Sequence, residues 1–438
     1  MALKEKMMWA ELKDHYKNRN YSDDQIITQW LADVDTQAEA KILNNTTLNL
    51  IFGHKDVVNF GVPYNEGGTT LSVGTPASKK KGNDNVKKVV KFIGKKNGNE
   101  VTTFNLTNDT RIKFERSIRC TDIKFNMERA IEDNDVGVLW VDVVEPDGAN
   151  PPTKQDDTDS SFIDCEFLNF GTGIALLYNG RNLLIERCKF TGTTGTGIHH
   201  YFKDIYEDPK GKNDTIKPGA CRKNRVQGTT FNMGDGHAMK IGVPPDVFNN
   251  FGKINNPAIE DPEATFGRLY GNYLQFQILD CTITNAVVCE ARLANEQVLG
   301  GFSCINTTAS NGPRNQSHIL VRGEGGILGS IMLLDSDGQD SASFNGSGRL
   351  THALDISSEV DVENKGAIYI DTNVTGYTDD YYYMIGKFGN SNQFPGVKVM
   401  GKTSGLKNRV GYYKDKAKTK VDSAESGTLD TIVEKTLY

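Results

Sequence analysis

The chain of 438 residues lacks the features that mark membrane-spanning and exported proteins. It has no run of 18 apolar residues, so we expect no membrane insertion. Its first 17 residues, MALKEKMMWAELKDHYK, carry charges throughout, with no apolar core and no small-residue cleavage site. A secretory signal peptide needs both, so the sequence predicts synthesis in the cytoplasm without export through such a signal.

Proline is scarce as well, with 13 residues, which excludes collagen-like and proline-rich chains. A net charge of −6 provides no global basic field, and this argues against a nucleic-acid partner. What the chain does have is 37% hydrophobic residues, enough for a large core. Its 44 glycines suit a fold with many tight turns.

The seven cysteines form no CxxC pair, and neither cysteine nor histidine has the spacing of zinc ligands. An odd number of cysteines without a signal peptide predicts free, buried thiols in a reducing compartment. The acidic segment 335–340 begins like a calcium loop but lacks the glutamate that such a loop carries at its twelfth position. Phosphate-loop and dinucleotide-binding patterns are missing too, so we expect no metal and no cofactor.

Residues 1–45 have helical periodicity. Leu3–Tyr16 form one amphipathic run. Ser22, followed by Gln25 three residues later, is the pattern of a capping box ahead of apolar residues at helical spacing. We interpret this region as a segment that either caps the body of the protein or attaches it to a larger assembly.

From Thr47 onward the chain changes to short apolar runs with a period of two. A six-residue pattern recurs, with apolar residues at positions one and six and a small Cys or Thr at position four. The pattern occurs at Phe162–Phe167, Ile185–Phe190, Val226–Phe231 and Ile278–Ile283. Many short strands combined with an internal repeat favour a solenoid over a sandwich or a barrel.

The repeat length is 22 to 24 residues. Phe167 and Phe190 are 23 positions apart, and Ile283 and Ile305 are 22 apart. This is the length of one coil of a parallel β-helix, in which each coil adds short strands to long parallel sheets. Cys, Thr, Ile and Phe are residues that fill a narrow interior of this kind.

These coils resemble the right-handed parallel β-helix of pectate-lyase-like proteins and of phage tailspikes, over about residues 47–360. A bacterial pectate lyase is exported, whereas a phage spike is made in the host cytoplasm, so the missing signal peptide favours the tailspike. The resemblance implies an all-β fold in three parts: a helical N-terminal segment (1–45), the β-helix (46–360) and a β-rich C-terminal or trimerisation region (361–438).

Alternate residues of a solenoid strand face outward. Ile174, Ile198 and His237 have equivalent positions and should face inward, His237 as a core histidine. If Cys289 also faces inward, the repeat leaves a polar patch on the outer face. It consists of His199, Tyr201, Lys240, Glu290 and Arg292, with Tyr201, Lys240 and Arg292 as a substrate-binding ladder.

One reaction that this patch suits is elimination from an acidic polysaccharide. Lys240, Arg292 or His199 would remove the proton next to a uronic carboxylate, and Tyr201 would act as the acid. Cationic groups nearby would stabilise the developing enolate.

The other reaction is glycoside hydrolysis, which needs a carboxylic acid and a carboxylate. Glu290 would act with Asp235 or with Asp204. Asp164 and Glu166, at positions i and i+2 of one strand, are a third option. For that pair an ordinary solvated strand face is the stronger interpretation.

The resemblance implies a homotrimeric tailspike or tail-fibre-like protein of the virion, assembled in the host cytoplasm and held by tail or baseplate proteins. Its ligand would be bacterial capsular polysaccharide or lipopolysaccharide, which it binds and, by hydrolysis or elimination, degrades. Two alternatives stay open. One is a non-catalytic virion adhesin, and the other is a cellular polysaccharide-modifying enzyme of the same fold.

Overall fold

The structure is a computed structural model that is rich in strands, with two short α-helices. It describes residues 3–4, 6–39, 47–60, 70–73, 89–106, 111–114, 118–127, 136–141, 160–169, 172–177, 183–192, 195–200, 221–242, 273–293, 298–310, 317–323, 326–334, 354–356, 361–362, 367–370, 383–385, 398–401, 410–413, 420–421 and 432–434.

The chain forms two compact units, Met1–His199 and His200–Tyr438. The elements of the first are α1 (Trp9–Tyr16), α2 (Asp23–Glu39), β1 (Lys6–Met8), β2 (Thr47–Ile51), β3 (Val57–Phe60), β4 (Thr70–Val73), β5 (Val89–Ile93), β6 (Lys96–Asn97), β7 (Glu100–Leu106), β8 (Arg111–Phe114), β9 (Ile118–Thr121), β10 (Ile123–Met127), β11 (Val136–Val141), β12 (Ser160–Ile163), β13 (Glu166–Leu168), β14 (Thr172–Leu177), β15 (Leu183–Glu186), β16 (Lys189–Thr191) and β17 (Thr196–His200).

Strands make up the second unit in its described ranges. They are β18 (Cys221–Gln227), β19 (Thr230–Gly242), β20 (Tyr273–Leu279), β21 (Thr282–Leu293), β22 (Val298–Ile305), β23 (Thr308–Ser310), β24 (Ile319–Gly323), β25 (Gly326–Leu334), β26 (Leu354–Ile356), β27 (Asp361–Val362), β28 (Ala367–Ile370), β29 (Tyr383–Ile385), β30 (Lys398–Gly401), β31 (Val410–Tyr413), β32 (Lys420–Val421) and β33 (Ile432–Glu434). Neither helix of the described chain has the length and apolar character needed to cross a membrane.

Three rows of parallel strands build the first unit. The first row is β1-β2-β5-β9-β12-β15. The second is β3-β7-β10-β13-β16, and the third is β4-β8-β11-β14. β17 joins the third row next to β14. From β2 onward the chain visits the three rows in turn, and only the short β6 departs from this order, pairing antiparallel with β7.

Each described first-row strand from β9 to β22 is followed by a residue whose backbone adopts the left-handed conformation, with φ between 48° and 56°. In five of these six corners the next residue is Cys or Thr, and its side chain donates a hydrogen bond to the carbonyl two residues earlier. The small residue at position four of the repeat therefore closes the corner as well as filling the interior. The left-handed residues are Asp122, Asp164, Arg187, Gly228, Asp280 and Asn306.

The predicted repeats are confirmed by the strand register. Phe162–Phe167 lies opposite Ile185–Phe190. Val226–Phe231 lies opposite Ile278–Ile283 in the same way. Equivalent side chains consequently stack from coil to coil, about 4.8 Å apart.

One predicted match is wrong. Ile305 lies opposite Leu279, and the partner of Ile283 is Ala309, 26 residues further on. β21 has 12 residues, which lengthens this coil beyond the expected 22. The repeat of the next coil is therefore Cys304–Ala309.

Aromatic rings fill the interior of the first unit. Phe125 and Phe167 stack with ring centroids 4.9 Å apart, and Phe167 and Phe190 stack at 4.6 Å. Both spacings match the distance between adjacent parallel strands, so each coil places its ring directly over the previous one. All three rings are fully buried.

Side-chain amides form a second ladder along the same row. Asn169 donates to Asn126, Asn126 to Asn105, and Asn105 to Asn59, at N–O distances of 3.4, 3.1 and 3.3 Å. The backbone N–H of Asn59 donates to Asp23 Oδ2 at 3.0 Å, which joins the ladder to the start of α2. Stacked amides of this kind hold neighbouring strands in register.

The N-terminal segment packs on the first coil. Lys6–Met8 is a strand rather than the start of a helix, because it pairs with the edge strand β2 and satisfies its backbone. Trp9 is fully buried, with its ring centroid 5.7 Å from that of Phe52. The Ser22 N–H donates to Gln25 Oε1 at 3.0 Å, which confirms the predicted capping contact from Gln25. These contacts suit a cap, and attachment to an assembly stays a prediction.

The second unit also has a parallel first row, β18-β20-β22-β25-β28-β30-β33. β19 pairs with β21, and the two halves of β21 continue into β23 and into β24-β26-β29-β31. β31 and β32 are antiparallel. Parallel pairing thus continues past residue 360, into the region 361–438 where we expected a separate C-terminal cap.

Six cysteines have described side chains, and all six are buried and free, as predicted. Burial raises the pKa of the Cys281 thiol to about 12 and raises that of Cys120 as well. A thiol that stays protonated is a poor nucleophile, so Cys120 and Cys281 serve packing rather than chemistry. The six buried cysteines are Cys120, Cys165, Cys188, Cys281, Cys289 and Cys304.

Candidate functional site

Four predicted site residues lie on the two long, neighbouring strands of the second unit. Asp235 and Lys240 belong to β19, and Glu290 and Arg292 belong to β21. The strands are parallel, so residues in register share one face of the sheet. The candidate site is therefore built from this pair of strands.

The other predicted residues do not join it in the described chain. His199 lies in β17, the last strand of the first unit, and is 6% exposed rather than open on an outer face. Its neighbours Thr196 and Ile198 are buried too, so both faces of β17 are covered. The expected approach of His199 to Glu290 stays a prediction, and Tyr201 and Asp204 lie outside the described residues.

A bulge in β19 sets the register of the site. Asn232 lies opposite Thr284, but the next pair is Gly236 with Ala286, so β19 contains two extra residues. Gly234, with φ 51°, allows the chain to bend there. Asp235 lies within the bulge and has no partner position on β21. Its role as the second carboxylate for Glu290 stays a prediction.

The bulge corrects the predicted ladder. Lys240 lies opposite Glu290, whereas the repeat alignment had placed it opposite Arg292. The residue opposite Arg292 is Gly242. The predicted neighbours in the ladder are therefore wrong.

The exposure of these residues also differs from the expectation. Lys240 is 8% exposed and Glu290 is 3% exposed, although an outer polysaccharide-binding face should be open to solvent. The residues on either side of Lys240, Met239 and Ile241, are buried too. Both faces of β19 are thus covered at this point, and the site is an enclosed polar cluster rather than an open ladder.

A contact between an imidazole and a carboxyl group lies in this cluster. His237 Nε2 lies 2.9 Å from Glu290 Oε2, and the two side chains are 21% and 4% exposed. A buried carboxylate is costly unless it is paired, so this contact offsets much of the cost of burying Glu290. The prediction of an ordinary core histidine missed it. The sequence could have indicated this contact, because His237 occupies a position where the equivalent repeats have Ile174 and Ile198.

Arginines occupy the next position along this face. Arg292 of β21 lies opposite Arg322 of β24. The sequence repeat did not extend to β24, so Arg322 was not among the predicted residues.

The arrangement has two chemical capabilities. The imidazole–carboxylate contact of His237 and Glu290 provides a group that can accept and return a proton away from bulk water. Lys240 provides a cationic group at the register position opposite Glu290. Ionisable groups enclosed together are more common at functional sites than in ordinary cores.

The alternative pair Asp164 and Glu166 belongs to the surface of the first unit. Asp164 accepts two hydrogen bonds from Arg187, each 2.9 Å long. Glu166 Oε1 is 3.4 Å from Lys96 Nζ, and both carboxylates are partly exposed. Exposed pairs of this kind are typical of a solvated strand face, which is the interpretation that we preferred from the sequence.

The described residues contain no group of three His, Cys, Asp or Glu side chains with the geometry of a metal site. Comparisons of the chain with family models, with curated proteins and with solved structures find no match.

Proposed function

We propose that the three-row arrangement is a right-handed parallel β-helix. The support is the order in which the chain visits the rows, since each return to a row adds a parallel strand next to the previous one. Connections between parallel strands of one sheet are right-handed in about 98% of cases, which is the basis for the handedness.

On this fold we propose a tailspike-like receptor-binding protein of a phage virion that binds bacterial capsular polysaccharide or lipopolysaccharide. The observation that carries the proposal is the regular stacking of parallel strands, in which each return of the chain to a row adds one strand beside the previous one. A rigid, repetitive surface of this kind suits a long, regular polymer. In this proposal three copies form the spike, and tail or baseplate proteins hold it.

Binding to polysaccharide tests the proposal directly. Purified chain is incubated with fluorescently labelled capsular and lipopolysaccharide preparations, and affinity is measured for the wild type and for Arg292→Gln. We expect at least one preparation to bind, with about tenfold weaker affinity for the variant, because one charge-assisted hydrogen bond is lost. Arg225→Gln, an exposed change on β18, is the matched control and should bind as the wild type does.

Oligomeric state is the second arm of this test. Light scattering should give three times the chain mass of 48.3 kDa. A monomer that binds and processes polysaccharide would support the cellular enzyme instead. Failure to bind any preparation would overturn the proposed function.

Depolymerase activity is the further part of the proposal, and the buried contact between His237 and Glu290 favours it over a passive adhesin. Released reducing ends indicate hydrolysis, and an ultraviolet-absorbing unsaturated uronate indicates elimination. Binding without shortening of the polymer would leave the adhesin alternative.

A further inference from the structure

Two cysteines of the first unit occupy the same corner position in consecutive coils. The strand pairs on both sides of this corner are in register, so Cys165 lies opposite Cys188. Neighbouring parallel strands are about 4.8 Å apart, and a disulfide joins Cα atoms that are about 4.4–6.8 Å apart. The backbone therefore already has the spacing that a bond between these two residues needs.

The two thiols also lie close together. Cys165 Sγ donates to the carbonyl of Ile163 at 3.4 Å, and Cys188 Sγ donates to the carbonyl of Phe162 in the preceding coil at 3.3 Å. Burial and then the adjoining Cys188 thiol raise the pKa of the Cys165 thiol, so the two sulfur groups are near enough to interact. Carbonyl groups of two consecutive residues thus hold both sulfur atoms in the buried interior.

The equivalent corners of the second unit show that this position does not require a cysteine in consecutive coils. Cys281 donates to the carbonyl two residues earlier at 3.2 Å. The coils on either side of it have Thr229 and Thr307 at the equivalent position, and both hydroxyls make the same contact at 3.1 Å. Among the corners that the structure describes, cysteines follow one another only at Cys165 and Cys188.

We propose that Cys165 and Cys188 are a redox-sensitive pair that forms a disulfide between two coils when the protein meets a peroxide. The two thiols stay free in a reducing compartment, and the bond staples the first unit in an oxidising one. This inference concerns the stability of the first unit and does not depend on the proposed function.

The reaction consumes two thiols and one hydrogen peroxide. One thiol sulfur attacks a peroxide oxygen, the O–O bond breaks, and a sulfenic acid and one water are formed. The sulfur of the second thiol attacks the sulfenic sulfur, the S–O bond breaks, and the hydroxyl leaves as a second water with the thiol proton. Two electrons pass from the thiols to the peroxide. Because both side chains are buried, peroxide reaches them during local opening of the coils, so we expect a slow reaction.

The bond should stabilise the fold because it restricts the unfolded chain. Cys165 and Cys188 are 23 positions apart, so the disulfide closes one complete coil into a loop. A cross-link of this kind removes conformational freedom from the unfolded state. We expect the melting temperature of the first unit to rise by about 5 °C.

The test detects the bond directly in the full chain. Reduced protein is incubated with hydrogen peroxide, quenched in acid, alkylated with N-ethylmaleimide and digested without reduction. Mass spectrometry should find a peptide that links Cys165 to Cys188 and that disappears after treatment with dithiothreitol. Cys188→Thr should abolish this peptide, because threonine keeps the corner contact but has no sulfur. Cys281→Thr is the matched control and should leave its yield unchanged.

Thermal unfolding separates the disulfide from a general effect of oxidation. Oxidised wild type should melt about 5 °C above reduced wild type, whereas peroxide should not raise the melting temperature of Cys188→Thr. Cys165→Thr should behave in the same way, so a folding defect in one variant does not decide the result.

Three outcomes would overturn the inference. They are thiols that remain free after prolonged incubation, oxidation to sulfinic acid without a linked peptide, and equal melting temperatures of the linked and reduced chains. Each of these results leaves polysaccharide binding untouched, because binding is measured separately.

Discussion

Arg187 reaches back to Asp164 of the preceding coil with two parallel hydrogen bonds, Nε to Oδ1 and Nη2 to Oδ2, both 2.9 Å long. Both residues occupy the left-handed corner position, with φ 49° for Arg187 and 53° for Asp164. A residue with a side chain is strained in this conformation, and the paired side chains offset part of that strain.

Arg187→Gly and Arg187→Ala therefore form a matched pair of variants. Both lose the same exposed ion pair, but only glycine relaxes in the left-handed region. We expect the alanine variant to melt roughly 1–3 °C below the glycine variant in thermal unfolding. Equal melting temperatures would show that the corner is not strained.

The amide ladder predicts a second stability effect. Asn126 donates to Asn105 and accepts from Asn169, so Asn126→Asp removes a donor and places a carboxylate oxygen against the Asn105 oxygen. We expect a loss of about 1–2 kcal/mol in the free energy of unfolding, measured with urea. Asn97→Asp, on the exposed strand β6, supplies the control and should change stability by less than about 0.5 kcal/mol.

The ring stack predicts a larger effect. Phe167 is fully buried between Phe125 and Phe190. Phe167→Ala removes the ring that stacks on both of them and leaves a cavity. A loss of about 3–5 kcal/mol is expected, against less than about 1.5 kcal/mol for the larger Phe167→Leu. Val57→Ala, 45% exposed, serves as the control. If both Phe167 variants unfolded at the same urea concentration, the stack would not contribute as described.

The six-residue repeat could be predicted from the sequence because its geometry is local. A left-handed corner residue such as Asp164, followed by a small donor such as Cys165, recurs in five of the six corners from β9 to β22. Apolar residues on either side then fall into the interior. The same local rule identifies Cys304–Ala309, which a count of fixed length had missed.

The neighbours in the candidate site could not be predicted in this way. The two extra residues of β19 near Gly234 shift Lys240 from Arg292 to Glu290, and no periodicity reveals a bulge. Alternation also assigns a residue to a face without showing what covers that face. Lys240 and Glu290 were therefore expected in solvent, although both are buried.

The buried His318 of the second unit predicts how stability depends on pH. His318 is fully buried, with Nε2 3.7 Å from Cys304 Sγ, and burial lowers its pKa to about 3. In the unfolded chain a histidine binds its proton near pH 6.5. Between these two values the unfolded state binds more protons, so stability is complete above about pH 6.5 and falls as the pH is lowered towards 3.

The slope of the free energy of unfolding against pH measures this contribution. From pH 6 to pH 4, His318→Leu should have a slope smaller than the wild type by about 1.4 kcal/mol per pH unit, since the difference of one bound proton is removed. Val57→Ala changes an exposed side chain that binds no proton and should leave the slope nearly unchanged. Urea denaturation at each pH provides the values. Parallel lines for the wild type and His318→Leu would show that His318 takes up its proton equally in the folded and unfolded states, contrary to its burial.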